Sequence, residues 1–169
     1  MPFMRRSRED EPAAADVAAG ASAGGAAVLR DELGLAPMWD FEMRYKEELA
    51  RAARGAVIFS IATWTPRLLP ADEADPEIMA RAAQMITGKL RSYDVAACID
   101  EVRYVALLLD ADNHHASTVT YRIKADIQVQ IPGAGKWRAG IATFGRDSVE
   151  GDALIQVALR RLQEDAAAA

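Results

Sequence analysis

Hydrophobic positions along this chain follow periods that change several times. From Trp39 to Arg54 the residues Trp39, Met43, Tyr45, Leu49 and Ala53 fall on or near one helical face, with Arg44, Lys46, Glu47 and Glu48 elsewhere, and Gly55 punctuates the run. Ala56 to Ile61 is apolar and β-branched, as a buried strand would be. Residues 65–74 hold Pro66 and Pro70 and read as a loop. Asp75-Pro76-Glu77 combines an Asp cap, a proline at the first helical position and an acid in the first turn, so a helix starts there. It runs to about Arg91, with Ile78, Ala82, Met85, Ile86 and Leu90 facing inward and Gly88 weakening its last turns.

Val95 to Ile99 and Tyr104 to Leu109 are two short apolar strands separated by Asp100-Glu101-Val102-Arg103, the spacing of a β-hairpin. Asp112 caps a further helix with Ala116, Val119 and Ile123 inward. From Asp126 to Ile131 the pattern alternates, Ile127, Val129 and Ile131 against Asp126, Gln128 and Gln130, which predicts a strand. Pro132-Gly133-Ala134-Gly135 is a turn. Trp137 to Phe144 is another strand, whose Gly140 marks a close backbone approach. A last helix from about Asp152 to Glu164 aligns Leu154, Val157, Ala158 and Leu162. Helices interleaved with hairpin-linked strands predict an α+β fold: a central, mostly antiparallel sheet flanked by helices.

Composition narrows the folded part. Residues 1–37 are rich in Ala, Gly and charge and hold few large apolar residues, which predicts a disordered tail, a domain over 38–165 and a short C-terminal tail over 166–169. The formal charge of −5, from 20 Lys+Arg against 25 Asp+Glu, argues against DNA, RNA or an anionic membrane as partner. It leaves room for a local arginine cluster on one phosphorylated ligand. A single cysteine, Cys98, excludes an internal disulfide framework and fits a small, buried strand residue. No segment approaches the roughly 20 apolar residues needed to span a bilayer. The N-terminal stretch lacks the hydrophobic centre of a signal peptide, so a cytoplasmic location is expected. His114 and His115 are adjacent, point about 100° apart on a helix and lack supporting ligands, so no metal site is expected from them. Trp64 and Trp137 read as core or rim aromatics, and no Ser-His-Asp elbow, P-loop or dinucleotide fingerprint is present.

The run Arg91-Ser92-Tyr93-Asp94, five further residues, then Asp100-Glu101-Val102-Arg103-Tyr104 resembles the signature hairpin of GGDEF domains, where Arg-x-x-Asp precedes Gly-Gly-Asp/Glu-Glu-Phe at that distance. The resemblance extends over about 40–165 in the same element order, with Ala56–Trp64 as first strand and Arg138–Phe144 as the Ser-x-Gly-Ile-Ala strand. It implies the nucleotidyl cyclase-like fold. The departures bear on activity. The family's first-strand metal aspartates correspond to Ser60 and Ala62, its hairpin glycines to Asp100 and Glu101, and its acidic pair to Val102 and Arg103. Joining two GTP molecules requires hard oxygen ligands for Mg²⁺, so the resemblance implies a catalytically inactive domain with no catalytic residues, no metal and no cofactor.

What the resemblance retains is the family's inhibitory product site. Arg91 and Asp94 form this chain's single Arg-x-x-Asp, and Arg122 falls on the following helix, where the family's second arginine sits. The implied ligand is cyclic di-GMP. Asp94 would accept from a guanine's Watson–Crick edge, while Arg91 and Arg122 would bond a base edge or a phosphate and stack on a purine. The implied role is a receptor that signals through ligand-linked dimerisation or an unidentified protein partner; the rival is a ligand-independent interaction scaffold. Taken alone, Arg91 and Asp94 read as a local ion pair at a helix end, and Arg103 and Arg138 as exposed residues or neighbours of the same ligand.

Overall fold

The computed structural model describes residues 30–55, 57–67 and 73–165. Residues 1–29 of the tail expected over 1–37, and the tail expected over 166–169, lie outside the described residues. The elements are α1 (Met38–Ala53), β1 (Phe59–Pro66), α2 (Pro76–Lys89), β2 (Val95–Asp100), β3 (Arg103–Leu109), α3 (Asn113–Gln130), β4 (Trp137–Thr143) and α4 (Gly151–Glu164). The strands form one antiparallel sheet in the order β2-β3-β1-β4, with Ala62 opposite Ala106 on one side and Ile141 on the other. This is the expected α+β architecture. No described helix is long and apolar enough to cross a membrane.

Alternation along β1 sorts the core into two layers. Phe59 and Ile61 pack with Phe41 and Tyr45 of α1 and Leu154 and Ala158 of α4. Ala62 and Trp64 pack with Ala82 and Ile86 of α2 and Ile123 and Ile127 of α3. Trp64 and Trp137 are both buried, and Trp64 donates through Nε1 to the Thr120 carbonyl at 3.1 Å.

Four readings of the pattern change. The strand expected over 126–131 is the end of α3, which runs unbroken for 18 residues. Ile123, Ile127 and Ile131 also satisfy the i, i+4, i+8 spacing of a helical face, and the structure buries all three while leaving Val129 83% exposed. The first strand starts later and runs longer, to Pro66. α1 turns its Phe41, Tyr45 and Ala52 side inward and leaves Trp39 exposed, so the Trp39 face is not the buried one. Finally, residues 31–36, assigned to the tail by composition, are folded onto the domain. Leu35 and Ala36 are buried, and the Ala36 N–H donates to the Ala96 carbonyl at 2.7 Å, a parallel bridge onto the edge strand β2.

Gly140 is where α4 touches the sheet. A Cβ there would lie 2.1 Å from the Ala158 carbonyl oxygen and 2.6 Å from the Leu162 nitrogen, both helix backbone. Gly140→Ala should therefore lower the stability read from denaturant unfolding by more than about 2 kcal/mol. Gly88→Ala is the opposite case. No atom lies within 4 Å of the added methyl, and the change should raise stability by about 0.5–1 kcal/mol.

The other tie between α4 and β4 is ionic. Arg161 donates from Nη1 and Nη2 to the Asp147 carboxylate at 2.9 and 2.8 Å and from Nη1 to the Ile141 carbonyl. The Arg161 guanidinium holds the Asp147 carboxyl below the usual carboxylate range. A depressed folded pKa stabilises above the unfolded value of about 4 and is lost as pH falls through the folded value. The acid side of the stability–pH profile should accordingly be shallower in Asp147→Asn than in wild type.

Candidate functional site

α2 begins where the sequence signals place it, with Asp75 Oδ1 accepting from the Glu77 and Ile78 amides and Pro76 in the first turn. The helix ends at Lys89, and residues 91–94 turn into β2, the Asp94 N–H donating to the Arg91 carbonyl at 3.1 Å. Asp94 organises this turn. Its Oδ2 accepts from the Arg91 amide at 2.9 Å and its Oδ1 from the Leu109 amide at 3.0 Å, so one buried carboxylate joins the turn after α2 to the end of β3. Burial pushes the Asp94 carboxyl above its usual range, against the pull of those two amides and of the Arg91 charge.

The side chains of Arg91 and Asp94 form no ion pair within 4 Å, unlike the local pair the two residues suggest when read alone. The Arg91 guanidinium turns outward. Nη1 donates to Tyr93 Oη at 2.9 Å, Nη2 lies 2.8 Å from His115 Nε2, and the guanidinium carbon sits 5.7 Å from the Tyr93 ring centre. An arginine has only donors, so in this contact Nε2 is the accepting atom. Asp112 caps α3 through the His115 amide at 2.8 Å, which fixes where this histidine stands on the first turn. His115, Val119 and Arg122 then follow at i, i+4 and i+7 on one face of α3.

The result is a hollow of about 230 Å³ lined by Lys89, Arg91, Asp94, His115, Val119 and Arg122, among others. All three residues singled out in the sequence thus border one concavity. A link between Lys89 Nζ and Asp126 Oδ2 at 2.8 Å holds α2 and α3 together beside it. Arg122 is exposed and has no hydrogen bond or ion pair among the described residues. Two participants were missed by sequence reasoning. His115 reads as an idle surface residue until α3 is placed against the 91–94 turn. Arg30 lies in the stretch assigned to the tail, yet its Nη2 donates to the Asp94 and Ser92 carbonyls at 2.8 and 3.1 Å and braces the turn from behind. Only the Asp31–Leu35 turn beside it carried a signal, an Asp whose Oδ1 accepts from the Leu33 and Leu35 amides.

The positions to which the family resemblance assigns metal ligands have a different chemistry, Ser60 beside Leu108 and Thr143 at the Asp94 end of the sheet and the 100–103 hairpin at the opposite end. Ser60 is fully buried, its hydroxyl engaged with the Ala111 carbonyl and Thr143 Oγ1 at 2.8 Å each, and Ala62 has no side-chain oxygen. In the hairpin, Asp100 accepts from the Val102 and Arg103 amides and from Arg103 Nε at 2.6 Å. Partial burial raises the Asp100 carboxyl, but Arg103 and those amides outweigh it and leave its pKa low. Among the described residues, no three His, Cys, Asp or Glu side chains gather as a metal would need. At Ser60 and Ala62 there is no carboxylate to ligate Mg²⁺. The adjoining cavity, about 910 Å³, is walled largely by apolar groups including Leu33, Leu35, Met79, Val102 and Tyr104. Cys98 on its rim is half-buried and donates to the Asp100 carbonyl, and burial keeps its thiol protonated.

No protein-family model and no curated protein matches the sequence. Solved structures do match the fold. The FimX GGDEF domain from Pseudomonas aeruginosa superposes with a TM-score of 0.70 at 14% identity, covering 83% of this chain and 94% of that one. A sensory box/GGDEF family protein from Caulobacter crescentus CB15 gives 0.69 at 14% identity, over 83% and 99%. The GGDEF domain of DgcB from Caulobacter crescentus, solved in complex with c-di-GMP, gives 0.69 at 13% identity, over 88% and 94%. The chain therefore has the nucleotidyl cyclase-like fold of GGDEF domains.

Asp94→Asn tests the carboxylate's structural role. An amide has one acceptor oxygen, so one of two backbone N–H groups loses its partner, and unfolding should show a loss of about 1–3 kcal/mol.

Proposed function

We propose that this protein is a receptor for cyclic di-GMP, without cyclase activity, which takes the dinucleotide at the hollow between the end of α2 and the first turns of α3. The observation that carries this reading is the convergence of Arg91, Asp94 and Arg122 on one concavity, with the Arg91 guanidinium facing outward and not spent on Asp94. Two guanidinium forks can bond phosphate oxygens or a guanine's O6/N7 edge, and each has a flat face on which a purine stacks. Each Asp94 oxygen holds one backbone N–H, which leaves further lone pairs for guanine N1–H and amine donors. Support from likeness comes from the DgcB domain, a match to the same fold in complex with c-di-GMP.

Loss of cyclase chemistry is supported by the donor set. Ser60 and Ala62 on β1, and Val102 and Arg103 in the hairpin, present neither carboxylates nor free oxygens where the family resemblance calls for metal ligands. Signalling would pass by ligand-linked dimerisation or by a protein partner. A rival reading, an interaction scaffold independent of ligand, is favoured by one feature: Trp39 and Met43 are exposed on α1 at 58% and 39%.

Calorimetric titration with cyclic di-GMP separates the two. Wild type should bind, and Arg91→Ala and Arg122→Ala should each weaken binding by about tenfold or more, the loss of a charge-assisted contact. Both variants should melt close to wild type, since neither side chain is buried. His115→Ala should weaken binding less than Arg91→Ala, because it removes a support for the guanidinium and not the guanidinium itself. No binding by wild type, or equal binding by Arg91→Ala, overturns the receptor reading. Incubation with GTP and Mg²⁺ should give no dinucleotide.

A further inference from the structure

A second concentration of positive charge stands at the opposite end of the sheet from Arg91, where β1 finishes and β4 begins. The Arg67 N–H donates to the Lys136 carbonyl at 2.7 Å and carries the β1–β4 pairing one step beyond the ladder. Lys124 and Gln128 approach from the last turns of α3, and Asp165 follows α4. Together Arg67, Lys124, Gln128, Lys136, Arg138 and Asp165 border a hollow of about 260 Å³. Four cations meet one carboxylate there, in a chain whose net charge is −5.

That carboxylate is already committed. Asp165 Oδ2 accepts from Lys124 Nζ at 2.5 Å and from the Ala139 amide at 3.0 Å. The side chains of Arg67, Lys136 and Arg138 have no hydrogen bond or ion pair among the described residues. Other arginines of the domain do: Arg51 with Glu48, Arg103 with Asp100, Arg161 with Asp147. Arg138 Nε is buried and has no acceptor. A buried donor without an acceptor is a standing cost to the fold, and an oxyanion in the hollow would remove it. Gln128 is held with its Oε1 accepting from the Trp137 amide at 2.8 Å, which leaves its NH₂ as one more donor at the rim.

We infer that this hollow is an anion site for the phosphate group of a small phosphorylated molecule, gripped by Arg67, Lys136 and Arg138 and independent of the Arg91 site. A phosphate dianion suits three cations that are unpaired among the described residues, and guanidinium forks match its oxygen geometry. The volume accommodates the phosphate with a small organic body. The acidic surface of the rest of the domain disfavours a nucleic-acid strand running through it.

The test uses the full chain, with inorganic phosphate and glycerol phosphate as probes, sulfate at equal ionic strength as the comparison, and calorimetry and thermal melting as readouts. Both phosphates should bind and raise the melting temperature, more than sulfate does. Lys136→Gln and Arg138→Gln should each weaken the phosphates by about tenfold or more, while Arg91→Ala should bind them as wild type does. Lys136 is exposed, so its variant reports even if Arg138→Gln fails to fold. Absence of phosphate binding overturns the proposal, as does binding unchanged in Lys136→Gln, binding lost in Arg91→Ala, or sulfate held equally well. A single-stranded oligonucleotide bound more tightly than either phosphate, and lost in the same variants, overturns it in favour of nucleic acid.

Discussion

Strand β1 is hydrogen-bonded to β3 on one side and to β4 on the other, and both its faces are covered, Phe59 and Ile61 by α1 and α4, Ala62 and Trp64 by α2 and α3. Every residue from Phe59 to Trp64 is buried. A strand so enclosed admits small or apolar side chains and polar ones that find a partner inside, as Ser60 and Thr63 do. Carboxylates at Ser60 or Ala62 would stand in that interior without a counter-charge. The same enclosure brings α4 so near β4 that Gly140 has no room for a methyl group. It leaves the two ends of the sheet, where turns and helix ends expose charged side chains, as the places where cations gather around a hollow.

At one of those ends a single carboxylate organises the turn that borders the candidate site. Asp94 closes the turn after α2 with one oxygen and ties it to β3 with the other, and this frees the Arg91 side chain to face the hollow. Arg91 is then oriented by Tyr93 and His115, so the site depends on three elements meeting: the end of α2, the start of β2 and the first turns of α3. At the other end, cations outnumber acceptors and Arg138 is left short of one. The two ends differ from the middle in one physical respect: backbone hydrogen bonds run out there, and side chains take over the pairing.

Much of the fold is legible along the chain because local signals and tertiary packing agree. The Asp75-Pro76 start of α2, the Asp112 cap of α3, the 95–109 hairpin and the final helix all appear close to where pattern and capping chemistry place them. The readings that changed share a cause. The stretch 126–131 satisfies the strand period and the helix period at once, and only its neighbours could choose, burying Ile127 and Ile131 and leaving Val129 in water. α1 offers two apolar faces, and the sheet accepted the one bearing Phe41 and Tyr45. Residues 31–36 look too poor in large apolar groups to fold, yet they gain order from β2's unpaired edge, a partner that no local pattern reveals.

The sequence by itself determined the order and most of the bounds of the elements and the α+β class, since these follow from periodicity, capping and spacing; Arg91, Asp94 and Arg122 stood out only through the resemblance to GGDEF domains. The tertiary structure decided what those residues do to one another. Asp94 bonds backbone amides instead of the Arg91 side chain, His115 and Arg30 join the turn from distant positions, and Arg67, Lys136 and Arg138 gather beside a carboxylate already taken. Pairing partners far apart along the chain are settled by which elements pack together, and that choice is made by burial of the whole core and not by any local stretch of residues.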